Sequence, residues 1–392
     1  MGRVALTGDE AAAFSMMQIE PDVVAAYPIT PQTEIVMAFS QYVADGKVRT
    51  ELIPVESEHS AMSACVGASA SGARTMTATA ANGLALMWEI LYITASMRLP
   101  IVMPVVNRAL SAPINIHCDH ADSMGARDTG WIQCYCENAQ EVYESIILAV
   151  RIAEHPDILL PVIVCQDGFI TSHSLEAVEV FDSTKVKAFI GEYTPSRSLL
   201  DIENPVTYGP LDLQDYYFEH KYQQAHAMQK SVAIIPGVCT EFDKAFGKKL
   251  NMVEGYCLDD AETAIVVLSS TAGTSRVVVD ELREEGIKAG LLKLRFFRPF
   301  PADAIKEALR SVRAVAVLDR SDGFSTQGGP LFREMRSIFY NAEKTPLITN
   351  YIYGLGGREI DREMIKGVYH DLSVAVHSKK ADREIAYLGV RE

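Results

Sequence analysis

The feature that most constrains this chain is an alternation: through about the first 170 residues, short apolar runs take turns with longer stretches of helical period. That pattern marks βα units laid into a parallel sheet, because a parallel strand reaches its neighbour only through a crossover, usually a helix. Thr7 with Glu10 forms a capping box that opens a helix through about Met17. Val23–Tyr27 reads as a strand running into Pro28-Ile29-Thr30-Pro31. Pro31 suits a first helical position with Thr30 as its N-cap, so the spacing predicts a helix through about Val43. Glu51–Val55 and Arg74–Ala80 are the next strands, with a helix His59–Ser71 between them. Asn82-Gly83 is expected to turn the chain into a helix Leu84–Met97, and Ile101–Val106 is a fourth strand delivering Asn107 and Arg108 at its carboxyl end.

From about Asp182 to Asp260 the regularity fades into Tyr-, Pro- and Asp-rich sequence with one clear helix, Glu219–Lys230. This stretch reads as an extension packed on the first unit, ending in a connection. A second βα series begins at the strand Thr263–Leu268 and continues with a helix Thr274–Glu285, a strand Gly290–Leu294, a helix Ala302–Ser311 and a strand Ala314–Leu318. At 392 residues the chain exceeds what one hydrophobic core organises. Two α/β domains are expected, 1–258 with its irregular part from about 182, and 259–392.

Composition removes several function classes. Hydrophobic residues at 48% and charged residues at 22% suit a chain with a large core and exclude disorder. The longest apolar runs, such as Leu99–Val106, fall far short of the roughly 20 residues that span a bilayer. Asp9, Glu10 and Glu20 are incompatible with a secretory leader, so a cytoplasmic protein is expected. Lys plus Arg at 36 against Asp plus Glu at 51 gives −15, which argues against a nucleic-acid partner. Seven cysteines with no C-x-x-C pair point to reduced thiols and not to zinc or iron–sulfur ligation by this chain.

In parallel α/β sheets ligands gather beyond the carboxyl ends of the strands. Thr30, Glu58, Asn82 and Arg108 each lie just past one of the first four predicted strands, a rim suited to a small polar anion. Each residue also has a plainer role: Thr30 as a helix cap, Glu58 as a favourable first-turn acid, Asn82-Gly83 as a turn, and Arg108 as the ion-pair partner of Asp119 or Asp122. Composition and periodicity do not choose among these. Cys134-Tyr135-Cys136 and the His117–Asp122 cluster lack a matched further set of metal ligands. Asp167-Gly168 looks like half of a diphosphate and Mg²⁺ motif, but no second half follows. Gly354-Leu355-Gly356-Gly357 lacks dinucleotide-binding spacing, and Gln327-Gly328-Gly329-Pro330 suits a tight loop and helix start as well as a ligand.

At Ala26-Tyr27-Pro28-Ile29-Thr30-Pro31 the sequence resembles the α subunit of thiamine-diphosphate-dependent 2-oxoacid:ferredoxin oxidoreductases, most closely the pyruvate type. The match continues in order through Val55-Glu56-Ser57-Glu58-His59-Ser60, Gly72–Thr79 with Asn82-Gly83, Pro104–Ala109, Asp119–Trp131, Tyr216–Lys221, Phe297–Pro301, Leu318-Asp319-Arg320 and Tyr353–Arg358. The resemblance implies a pyrimidine-binding domain followed by a transketolase C-terminal-like domain. It implies that Glu58 contacts the aminopyrimidine ring of thiamine diphosphate and favours the imino tautomer, with Tyr27 and Asn82 also at the cofactor. Arg108 would hold the substrate carboxylate and Thr30 would hydrogen-bond the oxoacid. An arginine in place of Thr30 would point to oxalate, whereas the pair present fits pyruvate; branched-chain or aromatic oxoacids such as phenylglyoxylate stay open. The implied reaction is the reversible oxidative decarboxylation of pyruvate with coenzyme A to acetyl-CoA, CO₂ and reduced ferredoxin. The resemblance also implies a β subunit sharing the thiamine diphosphate, Mg²⁺ and 4Fe-4S clusters on partner chains, γ and δ subunits, and a dimer of heteromers. The rivals are a non-catalytic scaffold subunit and a transketolase-like carbon transfer.

Overall fold

The computed structural model of the chain describes residues 2–391. Two sheets dominate it. The first runs, in spatial order, Phe296–Arg298, Ile132–Tyr135, Val162–Asp167, Val102–Asn107, Thr75–Met76, Val23–Ala26 and Glu51–Pro54. Every pairing in it is parallel except that of Phe296–Arg298 with Ile132–Tyr135. The second runs Ile385–Leu388, Leu347–Tyr353, Ala314–Asp319, Thr263–Leu268, Ala289–Leu294 and an antiparallel edge, Val253–Tyr256. A separate ribbon pairs Gly2–Leu6 with Glu176–Val180.

The central strands read as unbroken apolar runs because both faces are covered. Val102–Asn107 and Val162–Asp167 are buried at every position. On one face, helices Gly8–Ile19 and Ala139–Ala153 pack with Val102, Val106, Val162 and Val164. The other face shares its core with the second sheet: Met103, Val105 and Tyr135 join Leu292, Val315 and Val317. The far face of the second sheet carries a third cluster built on Ile265, Leu318 and helix Arg362–Ser378. The carboxyl-end loops of Val162–Asp167 and Ala314–Asp319 therefore meet where the sheets adjoin, with Asp167 of one facing Arg320 beyond the other.

Most expected elements are present within a few residues, and the departures have physical causes. The Thr7 capping box forms as expected. The second helix begins at Thr33, not Pro31, and its N-cap is Gln32, so Thr30 is not the cap. Asn82-Gly83 is no turn: both lie inside a short helix, Ala81–Leu86, which breaks at Met87 and resumes as Trp88–Ser96. The irregular extension holds a helix of 30 residues, Tyr217–Phe246, that continues through Pro236. Its buried residues Ala227, Ile235, Val238, Cys239, Phe242 and Phe246 recur at helical spacing and pack on the first core. Tertiary burial thus overrides the local penalty of Pro236-Gly237.

Candidate functional site

Thr30, Glu58, Asn82 and Arg108 follow four adjacent strands of the first sheet, ordered Arg108, Asn82, Thr30, Glu58 along the rim. The rim holds two kinds of polar group, those already satisfied by the protein and those left free, and this distinction carries the functional argument.

Glu58 opens the helix Glu58–Ala70, with the Ser57 hydroxyl capping it from outside by accepting from the Ser60 N–H at 3.2 Å. A carboxylate in that first turn is favoured by the helix dipole. Yet Glu58 is only 6% exposed and, among the described residues, has neither a hydrogen bond nor an ion pair. Its side chain lies against Gly83: a Cβ there would sit 2.6 Å from Glu58 Oε1 and 2.6 Å from Thr79 Oγ1. The hydroxyls of Thr77 and Thr79 are fully buried and have no partner among the described residues. Neither Glu58 oxygen is wholly shut off from water, so a ligand donor can take the place of the solvent at the edge of this nearly buried carboxylate. The Glu58 carboxylate, held against the Gly83 backbone and free of protein donors, fits a flat, hydrogen-bonding ring such as the aminopyrimidine of thiamine diphosphate.

Arg108, 8% exposed, follows the fully buried strand Val102–Asn107. Its guanidinium donates to the carbonyl of Asn115 from Nε at 3.0 Å and to the carbonyl of Thr30 from Nη1 at 2.8 Å. It makes no ion pair among the described residues. The plainer alternative, an ion pair with Asp119 or Asp122, does not form: Asp119 accepts from the N–H groups of Ala121 and Gly356, and Asp122 accepts from the backbone N–H of Arg108. The guanidinium is oriented by neutral carbonyls and keeps its charge for an anion. Thr30 is exposed, and its hydroxyl is not consumed as a cap, because the helix starts beyond it. Asn82 accepts from the Ser111 N–H at 3.3 Å, tying its helix to the loop after Arg108. Tyr27, 37% exposed, stands just past Val23–Ala26 and makes no hydrogen bond among the described residues.

Asp167 behaves in the opposite way. It accepts from His120 Nε2 at 2.7 Å, from the Ser270 N–H at 3.2 Å and from the Ser270 hydroxyl, and lies 3.7 Å from Arg320 Nη1. Arg320 holds the carboxyl of Asp167 well below the usual carboxylate range, against the opposing pull of burial. Cys118, His120 and Asp167 come together as a buried trio, but the carboxylate is already committed to those donors. The glycine-rich segments are also absorbed by the fold. Gly329 allows Asp319 to reach the N–H groups of Leu331 and Phe332 at 2.8 and 3.1 Å, and Gly356 and Gly357 pack on Asn115 and His117 of the loop after Arg108. The residue that sequence reasoning missed is Asp122, whose four hydrogen bonds span three segments.

Comparison with known proteins gives consistent results. The family described as pyruvate flavodoxin/ferredoxin oxidoreductase, thiamine diphosphate-binding, matches residues 15–238, and pyruvate:ferredoxin oxidoreductase core domain II matches residues 261–365. A protein named pyruvate synthase subunit PorA from Thermotoga maritima is 57% identical over 390 residues, covering 100% of this chain and 98% of its own. Its namesake from Methanocaldococcus jannaschii is 47% identical, covering 99% and 98%. Ketoisovalerate oxidoreductase subunit VorA from Pyrococcus abyssi is 42% identical, covering 97% and 96%. Among solved structures, a 2-oxoglutarate:ferredoxin oxidoreductase from Magnetococcus marinus, with 2-oxoglutarate, coenzyme A and succinyl-CoA bound, superposes with a TM-score of 0.75 at 19% identity, over 94% of this chain. This chain spans 65% of that one, and the likeness concerns the fold alone.

Proposed function

This chain belongs to the thiamine-diphosphate-binding pyruvate:ferredoxin oxidoreductase family, and from that premise we propose that Glu58 serves the coenzyme while Arg108 and Thr30 hold the substrate. The chain is a subunit of a multi-subunit 2-oxoacid:ferredoxin oxidoreductase of the pyruvate type. In the reaction, pyruvate and coenzyme A give acetyl-CoA, CO₂ and a proton, and two electrons pass to ferredoxin.

The observation that carries the assignment is that, among the described residues, the nearly buried Glu58 carboxylate has no donor and the Arg108 guanidinium no ion pair. Thiamine diphosphate, when bound, supplies the carbon nucleophile and the electron sink. Glu58 accepts a hydrogen bond from a pyrimidine ring nitrogen and shares its proton there, which requires an acceptor not already occupied by protein donors. Arg108 pairs with the substrate carboxylate through its remaining N–H groups, and its two bonds to backbone carbonyls fix the direction of the fork. The Thr30 hydroxyl donates to the same substrate from beside Arg108. Tyr27 and Asn82 border the coenzyme. The committed state of Asp167 supports a diphosphate and Mg²⁺ site supplied by a β subunit. That partner and γ and δ subunits carry the 4Fe-4S clusters and the coenzyme A region, in a dimer of heteromers that passes electrons to ferredoxin in the cytoplasm. No helix among the described residues is long and apolar enough to cross a membrane. Residues 1–258 are read as the pyrimidine-binding unit and 259–392 as the transketolase C-terminal-like unit, although the strands cross that boundary in both directions: Val253–Tyr256 already joins the second sheet, and Phe296–Arg298 reaches back into the first.

The test is a panel of 2-oxoacids on the assembled complex, following viologen or ferredoxin reduction. Pyruvate should give the highest kcat/KM; preference for 2-oxoisovalerate would move the chain to the branched-chain type. Arg108→Ala should raise the KM for pyruvate by about ten- to a hundredfold, the value of a charged hydrogen-bonded pair at ~1.5–3 kcal/mol. A non-catalytic scaffold would leave KM unchanged.

A further inference from the structure

After Arg108 the chain loops out and returns through a short helix, Ala121–Gly125, whose Asp122 is enclosed at 4% exposure. One carboxylate oxygen, Oδ2, accepts from the N–H of Ala81 and from the N–H of Arg108, each at 3.0 Å. The other, Oδ1, accepts from Asn107 Nδ2 at 2.8 Å and from the Ser123 N–H at 2.7 Å. Ala81 begins the helix that carries Gly83, the residue against which the Glu58 carboxylate rests. That helix has no side-chain cap of its own, since Ala80 holds the N-cap position. Without Asp122, the N–H groups of Ala81 and Arg108 would be buried donors with no partner, which native proteins seldom tolerate. Because Asp122 bonds the backbone of Arg108 and not its guanidinium, it fixes the residue without occupying the groups that meet an anion.

Resting on the reading that Arg108 takes the substrate carboxylate and Glu58 the pyrimidine, we propose that Asp122 is a positioning residue. It clamps the strand end bearing Arg108 to the helix start bearing Gly83, and so sets the spacing between substrate and coenzyme. Small displacements at this scale are expensive, since a shift of about 1 Å can cost about a hundredfold in rate.

The experiment is Asp122→Asn in the assembled complex, with Arg108→Ala alongside. Asparagine keeps the shape but replaces an acceptor oxygen by a donor facing other donors. Asp122→Asn should raise the KM for pyruvate and lower kcat, each by about tenfold. Backbone amide exchange should accelerate at Ala81 and Arg108 and stay unchanged in the second sheet. A purely structural role would lower the amount of active enzyme with KM unchanged, and that result overturns the proposal. Should the variant fail to assemble, amide exchange of the wild-type complex decides: slow exchange at both Ala81 and Arg108 supports the clamp, and fast exchange at either contradicts it. If Arg108→Ala itself leaves KM unchanged, the reading of Arg108 fails; if it raises KM while Asp122→Asn does not, the clamp alone fails.

Discussion

Glu58 and Asp167 are buried carboxylates at the same edge of one sheet, and they have opposite surroundings. Glu58 has no donor among the described residues, whereas Asp167 accepts from His120 and Ser270 and faces Arg320 of the other sheet. Polar groups that the fold has satisfied hold it together; a nearly buried carboxylate left without a protein donor is available to a ligand. Sequence position does not distinguish the two, because both follow strands in the manner of ligand-binding residues. Their partners do.

The comparison breaks most readily at Glu58. Glu58→Gln should cut pyruvate-dependent ferredoxin reduction by about 10²–10⁴-fold, the usual worth of a general acid–base group, with assembly intact by size-exclusion chromatography. Undiminished turnover would place Glu58 in the same structural class as Asp167. The reverse substitution, Asp167→Asn, should cost about 3–5 kcal/mol of stability, as breaking one side of a buried ion pair does, and appear as a large drop in melting temperature. A smaller effect sharpens the contrast. Gly83→Ala places a Cβ 2.6 Å from Glu58 Oε1, so the carboxylate must swing aside, and kcat should fall by about tenfold, ~1.4 kcal/mol. The least effect is in pH dependence. Burial raises Asp319 to about 6, so the folded chain holds its proton above the unfolded pKa of ~3.9, and this group's contribution to stability is lost as pH rises from ~4 to ~6. Asp167 is depressed, so its contribution is present above ~4 and lost as pH falls. Melting temperatures from ~pH 2 to ~pH 7 in wild type, Asp319→Asn and Asp167→Asn should show slopes altered in opposite directions, for Asp319 between ~4 and ~6 and for Asp167 below ~4.

The sheets are legible because parallel strands covered on both faces are apolar along nearly their whole length, as in Val102–Asn107 and Thr263–Leu268, where only Asn107 and Thr263 are polar. The rim was legible because loops leave such strands at one edge. What local pattern lacks is knowledge of distant partners. The three residues Phe296–Arg298 carry no mark showing that they cross to the first sheet, and Gly2–Leu6 becomes a strand only because Glu176–Val180 lies beside it. The site shows the same limit. Proline at position 31 suggested a cap at Thr30, but the Gln32 side chain accepts from the Ile29 N–H and the helix starts later, leaving the Thr30 hydroxyl free. Asp122 looked like an ion-pair partner for Arg108, and its bonds to Ala81, Asn107 and Arg108 exist only in three dimensions.

The most direct measurement is a structure of the assembled oxidoreductase with thiamine diphosphate bound. A Glu58 carboxylate oxygen should lie about 2.6–3.0 Å from a pyrimidine ring nitrogen, with the diphosphate held by another chain. A coenzyme lying elsewhere, or one enclosed wholly by this polypeptide, would contradict the account.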